Sequence, residues 1–212
     1  MRVLVACEFS GIVREAFAKR GHDAWSCDLL PTEIPGQHIQ GDVLEVIKDG
    51  WDLMIGHPPC TYLSYAGIAW WNSPGRLEKR LEALDFFAKL WLAPIDKICL
   101  ENPKGCASPT IAKYSQEIQP YYFGDSGVKT TWLWLKNLPL LEHVEKETLF
   151  ETRTHVDKPE PLVIQIRKPS KNFKGGELKK RYFVDELSRD PHERSRTFPG
   201  IAEAMASQWS DL

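Results

Sequence analysis

The sequence predicts a doubly wound α/β fold with a mostly parallel sheet, on three observations. Short apolar runs alternate with amphipathic segments along the first half of the chain, as in βαβ units. The run Lys97 to Leu100 is mostly apolar, as a strand buried on both faces requires. The 212 residues, 42% hydrophobic and 26% charged, suit one globular domain with its own core.

The periodicity of apolar residues places the predicted elements in order. Strands are expected at residues 2–8, 23–28, 38–40, 51–55, 97–100, 121–123 and 131–135. Helices are expected at residues 12–20, 43–47, 76–92 and 198–209. The helix at residues 76–92 is the clearest, because apolar residues fall on one of its faces at helical spacing: Leu77, Leu81, Leu84, Phe87 and Trp91.

Three regions follow from the change in pattern along the chain. Residues 1–139 carry the alternating elements, and residues 194–212 return to helical periodicity. Residues 140–193 form a small, irregular insertion with a basic run, made of Arg167, Lys168, Lys171, Lys174, Lys179, Lys180 and Arg181. We expect this run to follow a phosphate backbone, and a solvated charged loop is the alternative.

Charge and cysteine content narrow the functional classes. The formal net charge is -2, so any contact with nucleic acid must come from a local patch. The 5 cysteines lack CxxC spacing, which favours neither a disulfide framework nor a zinc site and fits a reducing cytoplasm. No signal peptide and no apolar stretch of about 20 residues is evident. We therefore expect a cytoplasmic protein with no metal and no membrane partner.

Small and acidic residues follow the first three predicted strands, at the edge where open α/β sheets bind ligands. Phe9-Ser10-Gly11 forms a tight turn that lets a ligand approach the backbone. Asp28 and Asp42 end the next two strands, where a carboxylate accepts hydrogen bonds from a ribose diol or an adenine amino group. A solvated turn acid or a helix cap is the alternative for each.

Two further motifs follow the fourth and fifth predicted strands. Pro58-Pro59-Cys60 presents a thiol on a rigid loop, which suits a nucleophile if the thiol pKa is lowered. Glu101 ends an apolar strand, so we expect desolvation to raise its pKa and let it donate a proton. The alternatives are a buried structural cysteine and a strand-end cap. The structural role is favoured for the remaining cysteines, which are Cys7, Cys27, Cys99 and Cys106.

An aromatic and basic segment follows the candidate nucleophile. It contains Trp70, Trp71 and Arg76, and we expect a mobile loop whose indoles contact bases or sugars. Packing of the two indoles beneath the long helix is an equally good interpretation. The exposure of the two rings distinguishes the interpretations.

Together, Pro58-Pro59-Cys60 and Glu101-Asn102 resemble the cytosine-C5 methyltransferase family, in its small phage-type form. That family carries a Pro-Cys nucleophile loop after strand four and a Glu-Asn pair after strand five. The resemblance covers roughly residues 1–135 and 194–209. It implies a Rossmann-like fold that uses S-adenosyl-L-methionine (AdoMet) and releases S-adenosyl-L-homocysteine.

The resemblance also implies roles for residues around the cofactor and the base. The cofactor residues that it implies are Phe9, Ser10, Gly11, Asp28, Leu29, Asp42, Val43 and Pro58. Lys129 begins a segment similar to the family's Gln-x-Arg-x-Arg strand and is expected to donate to the base carbonyl. The segment at residues 197–202 looks like the start of the family's final helix, which closes the cofactor pocket.

The chain departs from the family pattern in three places. The first turn is Cys7-Glu8-Phe9, where the family has an Asp-Leu-Phe start. The family's arginines are missing from the segment that begins at Lys129, and residues 140–193 leave little room for a full DNA-reading domain. These departures favour weighing a free cytidine nucleotide or RNA as the substrate beside DNA.

The implied reaction is methyl transfer to carbon 5 of cytosine in DNA without a metal. Cys60 attacks carbon 6, Glu101 hydrogen-bonds or protonates ring N3, and loss of the carbon-5 proton with elimination of Cys60 follows methylation. A duplex target would first have to be flipped out. The alternatives are the same chemistry on a nucleotide or RNA, and a catalytically silent protein that binds nucleic acid or AdoMet. The enzymatic hypotheses require Cys60 and Glu101 to face one cleft.

Overall fold

The computed structural model describes residues 1–143, 163–166, 169, 174–176, 178–181 and 190–212. The strands are β1 Arg2–Ala6, β2 Asp23–Asp28, β3 His38–Gln40, β4 Leu53–Gly56, β5 Lys97–Pro103, β6 Gln116–Ile118, β7 Thr131–Lys136, β8 Val163–Ile166 and β9 Leu178–Arg181. The α-helices are α1 Ile12–Ala18, α2 Val43–Val46, α3 Arg76–Trp91, α4 Ala107–Thr110, α5 Pro191–Ser195 and α6 Pro199–Trp209. Two 3-10 helices span Tyr65–Trp70 and Pro120–Phe123.

One seven-stranded sheet has the order β3-β2-β1-β4-β5-β7-β6. The pairs from β3 to β5 are parallel, whereas β7 runs antiparallel to both of its neighbours. The order changes direction between β1 and β4, and ligands bind at such switch points in open α/β sheets. The predicted doubly wound, Rossmann-like fold is confirmed. Strands β8 and β9 form a separate antiparallel pair.

The sheet separates two apolar cores because successive side chains of a strand point to opposite faces. Val3 and Val5 of β1 belong to the core that contains α1 and α6, whereas Leu4 belongs to the core that contains α3. Helix α6 buries Trp209 completely, and the indole donates to the carbonyl of Pro139 at 3.2 Å. Helix α6 therefore packs on this face of the sheet, with Ile201, Met205 and Trp209 in the core.

The predicted helix is present as α3, and it packs on the sheet through its C-terminal half alone. Leu77 and Leu81 are 53% and 57% exposed, whereas Phe87 and Leu90 are buried. The first turns of α3 therefore present apolar side chains to solvent near the nucleophile loop.

The predicted strand at residues 121–123 is wrong, because this segment is the 3-10 helix Pro120–Phe123. Pro120 fixes φ at the first helical position, and Gly124 ends the helix with a φ of 91°. The strand β6 was not predicted, and it pairs with β7 at the sheet edge. The division into three regions stays a prediction, since most of residues 140–193 lie outside the described residues.

A buried arginine organises the loop that follows β2. Arg14 is 1% exposed and donates to the Ser26 hydroxyl at 3.1 Å, the Thr32 hydroxyl at 3.2 Å and the Ile34 carbonyl at 2.6 Å. A guanidinium is always charged, so it stays buried only where acceptors satisfy its N–H groups. Arg14 therefore fixes this loop against α1 and β2.

We expect Arg14→Met to lower the free energy of unfolding by about 2–4 kcal/mol, because it leaves acceptors of this network without a donor. Urea unfolding followed by circular dichroism measures the change. Arg20→Met is the matched control, since Arg20 follows the same helix but is exposed and pairs with Glu203. We expect the control to change stability by less than about 0.5 kcal/mol. Equal stability of the two variants would contradict this account of Arg14.

Candidate functional site

The neighbouring strands β4 and β5 bring the two predicted catalytic motifs to one edge of the sheet. The side-chain amide of Asn102 donates to the carbonyl of Pro58 at 2.7 Å, so the Glu101-Asn102 motif, which lies in the last residues of strand β5 itself, fixes the loop after β4. Pro58 is buried and Cys60 is exposed. Glu101 lies close enough for its charge to raise the pKa of the Cys60 thiol. The structure thus brings Cys60 and Glu101 together, while their catalytic roles stay predictions.

The surroundings of Cys60 do not activate its thiol. Burial raises its pKa and the charge of Glu101 raises it further, while Lys129 and Arg194 oppose them with a smaller effect. The residue reaches solvent, so this burial reflects the protein walls around the sulfur. The sequence interpretation required a lowered pKa. A nucleophilic Cys60 therefore needs a change in nearby charge when substrates bind.

The expectation that the Glu101 pKa is raised is wrong. Desolvation raises it, but the charge of Lys129 and the hydrogen bonds from His57 and Thr131 outweigh this effect and lower the pKa. The Nδ1 atom of His57 lies 3.3 Å from Oε2 of Glu101. The carboxyl group is therefore ionised at neutral pH and accepts hydrogen bonds.

His57 belongs to this site, and the sequence interpretation did not include it. Its side chain is 8% exposed, and its Nε2 atom is buried without a hydrogen-bond partner among the described residues. The Oδ1 atom of Asn102 is also buried without a hydrogen-bond partner among the described residues. Buried polar atoms almost always have partners, so open ones mark a place that receives a polar group. The sequence feature that could have identified His57 as a site residue is its position directly between β4 and Pro58.

Lys129 lies at the same edge, immediately before β7. Its ammonium group donates to the carbonyl of Arg194 at 3.2 Å, which joins the C-terminal segment to the site. Its charge lowers the pKa of both Cys60 and Glu101. A cavity of about 180 Å³ lies beside it, with Ile12 and Phe198 among its walls. Lys129 thus lies near both Cys60 and Glu101, and its role toward a base stays a prediction.

Glu8, which departs from the family pattern, has a structural role at the first turn. It is buried, and its carboxylate accepts hydrogen bonds from the backbone N–H groups of Val13 at 2.7 Å and Arg14 at 3.2 Å. Dinucleotide-binding folds place a pyrophosphate at this end of the first helix. A carboxylate already there repels phosphate, so the turn suits a nucleoside without phosphates.

The three residues of the predicted cofactor turn are already engaged within the protein. Ser10 donates to Glu8, and Gly11 has a φ of 76° and packs against Arg14. The ring of Phe9 is 7% exposed and lies 4.3 Å from the ring of His192 in α5. An adenine that packs on this face of Phe9 must therefore displace His192.

An ion cluster holds α5 over this turn. Glu33 accepts from His192 at 2.8 Å and from both the Nε and Nη2 atoms of Arg196, at 2.8 and 2.7 Å. The hydrogen bond from Arg196 lowers the pKa of Glu33. The side chains of Glu33, His192 and Arg196 are only partly exposed, and the bidentate pair of Arg196 and Glu33 is the exposed ion-pair geometry that contributes most. The cluster therefore positions α5, with His192, over the ring of Phe9.

Asp28 and Asp42 lie together at the carboxyl ends of β2 and β3, since both charges raise the pKa of Cys7. Asp28 accepts from the backbone of Leu30 at 2.9 Å, and Asp42 caps α2 by accepting from Leu44 at 2.9 Å. Asp42 therefore acts as a helix cap, which is the alternative to a cofactor-binding role for this residue. Within the described residues, the second oxygen of each carboxylate has no hydrogen bond.

The apolar residues predicted beside these acids differ in exposure. Leu29 is 73% exposed next to Asp28, whereas Val43 is buried in the first turn of α2. An exposed leucine at a ligand-binding edge offers an apolar surface to a planar ring. Leu29 is therefore placed to contact a ligand, and the side chain of Val43 serves the core.

The residues predicted to contact nucleic acid are placed differently from one another. Trp70 is 66% exposed, whereas Trp71 is partly buried, with Arg80 4.0 Å from its ring centroid. Arg76 donates to the carbonyl of Thr61 at 3.3 Å. Lys174 is exposed, and the other predicted basic contacts, Arg167, Lys168 and Lys171, lie outside the described residues.

The chain matches no protein-family model and no curated protein sequence. Among solved structures, a triple mutant of Spodoptera frugiperda DNMT2 is similar at 16% identity and a TM-score of 0.40, covering 76% of this chain and 57% of that chain. The structure of WbdD with the kinase inhibitor LY294002 is similar at 15% identity and a TM-score of 0.36, and the match covers 66% of this chain and 37% of that chain. The chain thus spans less than two thirds of either structure.

Two structural features, a membrane-spanning helix and a metal-binding group of side chains, are absent from residues 1–143, 163–166, 169, 174–176, 178–181 and 190–212. None of the helices in these ranges is both long and apolar enough to cross a membrane. Across the same residues, histidine, cysteine and carboxylate side chains form no group that could hold a metal ion.

Proposed function

We propose that the protein is an AdoMet-dependent methyltransferase that acts on carbon 5 of cytosine in DNA. The observation that carries the proposal is the meeting of Cys60, Glu101 and Lys129 at one sheet edge, beside the switch point. A thiol, a carboxyl group and a cation are what addition to a pyrimidine ring uses. The resemblance of the Pro-Cys and Glu-Asn motifs to the cytosine-C5 family supports the same chemistry.

The residues on the other side of the switch point fit AdoMet. Asp28 and Asp42 each offer a carboxylate oxygen to hydroxyl or amino groups, Leu29 offers an apolar surface, and Glu8 disfavours a phosphorylated ligand. When bound, AdoMet supplies an electrophilic methyl group and a positive sulfonium charge. Four acidic side chains around the edge, Glu8, Asp28, Asp42 and Glu101, suit a cationic ligand. Displacement of His192 from Phe9 accompanies adenine binding in this proposal.

The chain's own residues account for activation of the base. Once the Cys60 thiol has lost its proton to solvent, its sulfur forms a bond to carbon 6. The ring electrons shift toward N3, which takes the proton that is taken up with the base and held between N3 and the Glu101 carboxylate. Carbon 5 thereby becomes nucleophilic and accepts the methyl group. Loss of the carbon-5 proton and departure of the Cys60 sulfur restore the aromatic ring. His57 holds the Glu101 carboxyl group in place through its Nδ1 atom.

The charges at the site couple base binding to thiol activation. The Glu101 charge raises the pKa of the Cys60 thiol. A proton shared between Glu101 and ring N3 neutralises that charge, while Lys129 and Arg194 keep theirs. The thiol pKa then falls when the correct base is present. Cys60 therefore stays protected until a cytosine is bound.

The test is methyl transfer from radiolabelled AdoMet to DNA, RNA or dCMP, with wild type beside Cys60→Ser. We expect label in DNA with the wild-type protein alone. Label in RNA or dCMP and not in DNA would replace the substrate and keep the chemistry. AdoMet binding without transfer to any acceptor would instead indicate a catalytically silent binding protein and refute the proposal.

A further inference from the structure

We infer that the open cavity beside the nucleophile loop is a binding site for single-stranded nucleic acid, where it holds a nucleotide adjacent to the target cytosine. That the neighbouring nucleotide is a cytosine to be methylated rests on the proposed function, whereas the binding of a single strand does not. The cavity has a volume of about 520 Å³, and its walls include Tyr62, Trp70, Arg76 and Lys79. Arg76 ties it to the nucleophile loop by donating to the carbonyl of Thr61, next to Cys60.

Trp70 supplies a free aromatic surface in this cavity. It is 66% exposed at the end of the 3-10 helix, and its neighbour Ile68 is 62% exposed. By contrast, Trp71 packs against Tyr65, with ring centroids 5.7 Å apart. Exposed indoles are uncommon away from binding surfaces because burial of their apolar area is favourable. The Trp70 ring is therefore available to stack on a base.

The cations of the cavity lie around its second aromatic ring. The guanidinium of Arg76 is 5.0 Å and the ammonium of Lys79 is 5.6 Å from the centroid of the Tyr62 ring. In the part of the chain that the structure describes, neither cation forms a salt bridge. Cations next to aromatic rings form the usual site for a nucleotide, since the phosphate pairs with the cations and the base stacks.

Single strands fit this cavity better than a duplex. A base exposes both faces to an aromatic side chain only when it is unstacked. The cations lie in one short region of α3, in a protein whose formal net charge is -2. That arrangement neutralises few phosphates, whereas non-specific duplex binding draws its affinity from many phosphate contacts. Stacking on Trp70 therefore supplies the larger part of the affinity.

The test is the fluorescence anisotropy of a labelled single-stranded oligothymidylate, which contains no cytosine and cannot be methylated at the proposed site. We expect Trp70→Ala to raise the dissociation constant about 5- to 150-fold, the range for loss of one base stack. Leu92→Ala is the matched control, since Leu92 is 76% exposed beyond the far end of α3. We expect this control to bind as wild type does.

The salt dependence of strand binding tests the contribution of the Lys79 ammonium separately from stacking on Trp70. Lys79→Gln is expected to reduce the slope of log binding constant against log salt by about 0.7, the value for one phosphate contact on a single strand. Lys89→Gln is the control, because Lys89 is exposed on the same helix and pairs with Asp85 at 2.7 Å. An unchanged slope in Lys79→Gln would remove Lys79 from the site.

Several outcomes would overturn the inference. One is oligothymidylate binding that Trp70→Ala leaves unchanged while thermal melting shows a folded protein. Another is a duplex of the same length that binds more tightly than the single strand. Cys60→Ser separates this inference from the proposed function, because it should bind the strand normally. Strand binding that depends on Trp70, without methyl transfer to any acceptor, would refute the proposed function alone.

Discussion

Replacing Cys60 with serine is expected to reduce methyl transfer by about 10⁴-fold or more, because the hydroxyl cannot supply an equivalent nucleophile. AdoMet binding, measured by calorimetry, should stay within about twofold of wild type, since the side chain is exposed and supports no core packing. A selective loss of transfer therefore separates a chemical role from a structural one.

Covalent trapping tests the same residue directly. DNA that contains 5-fluorocytosine should form an adduct with the wild-type protein that survives denaturation, because fluorine cannot leave carbon 5 as a proton does. Mass spectrometry should locate the adduct on the peptide that contains Cys60. Trapping on a 5-fluorocytosine nucleotide but not on DNA would keep the chemistry and change the substrate.

The thiol chemistry of the free protein gives a second readout. Because burial and the Glu101 charge raise the pKa of Cys60, alkylation by iodoacetamide should be slow at neutral pH and should rise only in alkaline solution. Glu101→Gln should shift this alkylation profile to lower pH, since it removes the negative charge. Cys106→Ala is the control, because Cys106 is buried and does not line the site. If the alkylation profile of Cys60 were the same in wild type and Glu101→Gln, the proposed effect of the Glu101 charge on the thiol pKa would be contradicted.

The order of the strands was predictable because each strand has its own local pattern. The bounds of β2 and β3 match the predictions, and β1, β4, β5 and β7 differ only at their ends. Failures occur where tertiary structure overrides that pattern. The periodicity of α3 does not reveal that only its C-terminal half packs on the sheet, and Leu77 and Leu81 are exposed. Similarly, aromatic residues at 121–123 favour a strand, but Pro120 and Gly124 impose a 3-10 helix.

The placement of the candidate site was predictable where its residues lie at or just beyond the carboxyl ends of neighbouring strands. Cys60 and Glu101 meet because the parallel strands β4 and β5 are neighbours in the sheet. The electrostatics were not predictable, because they depend on residues distant in sequence. Lys129 and His57 reverse the expected direction of the Glu101 pKa shift. Likewise, α5 covers Phe9 through a contact with His192 that no local motif indicates.

Glu101→Gln is expected to lower methyl transfer by about 10²- to 10³-fold, because an amide cannot deliver a full proton to ring N3. The same substitution should change how base binding depends on pH. The lowered pKa of Glu101 means that its carboxylate is ionised at neutral pH. Ring N3 of cytosine is an acceptor, so a carboxylate that faces it needs one proton between the two groups.

The sign of the pH effect follows from that proton. Binding of cytosine takes up one proton above the pKa of free Glu101, so affinity should fall about tenfold per unit rise in pH. A glutamine donates through its amide at any pH, so the affinity of Glu101→Gln should lose this dependence. Titration of a cytosine-containing strand from pH 6 to 8 measures both slopes, with the exposed Glu203→Gln as control. Equal slopes in wild type and Glu101→Gln would place the coupled proton elsewhere and exclude Glu101 as the group that binds N3.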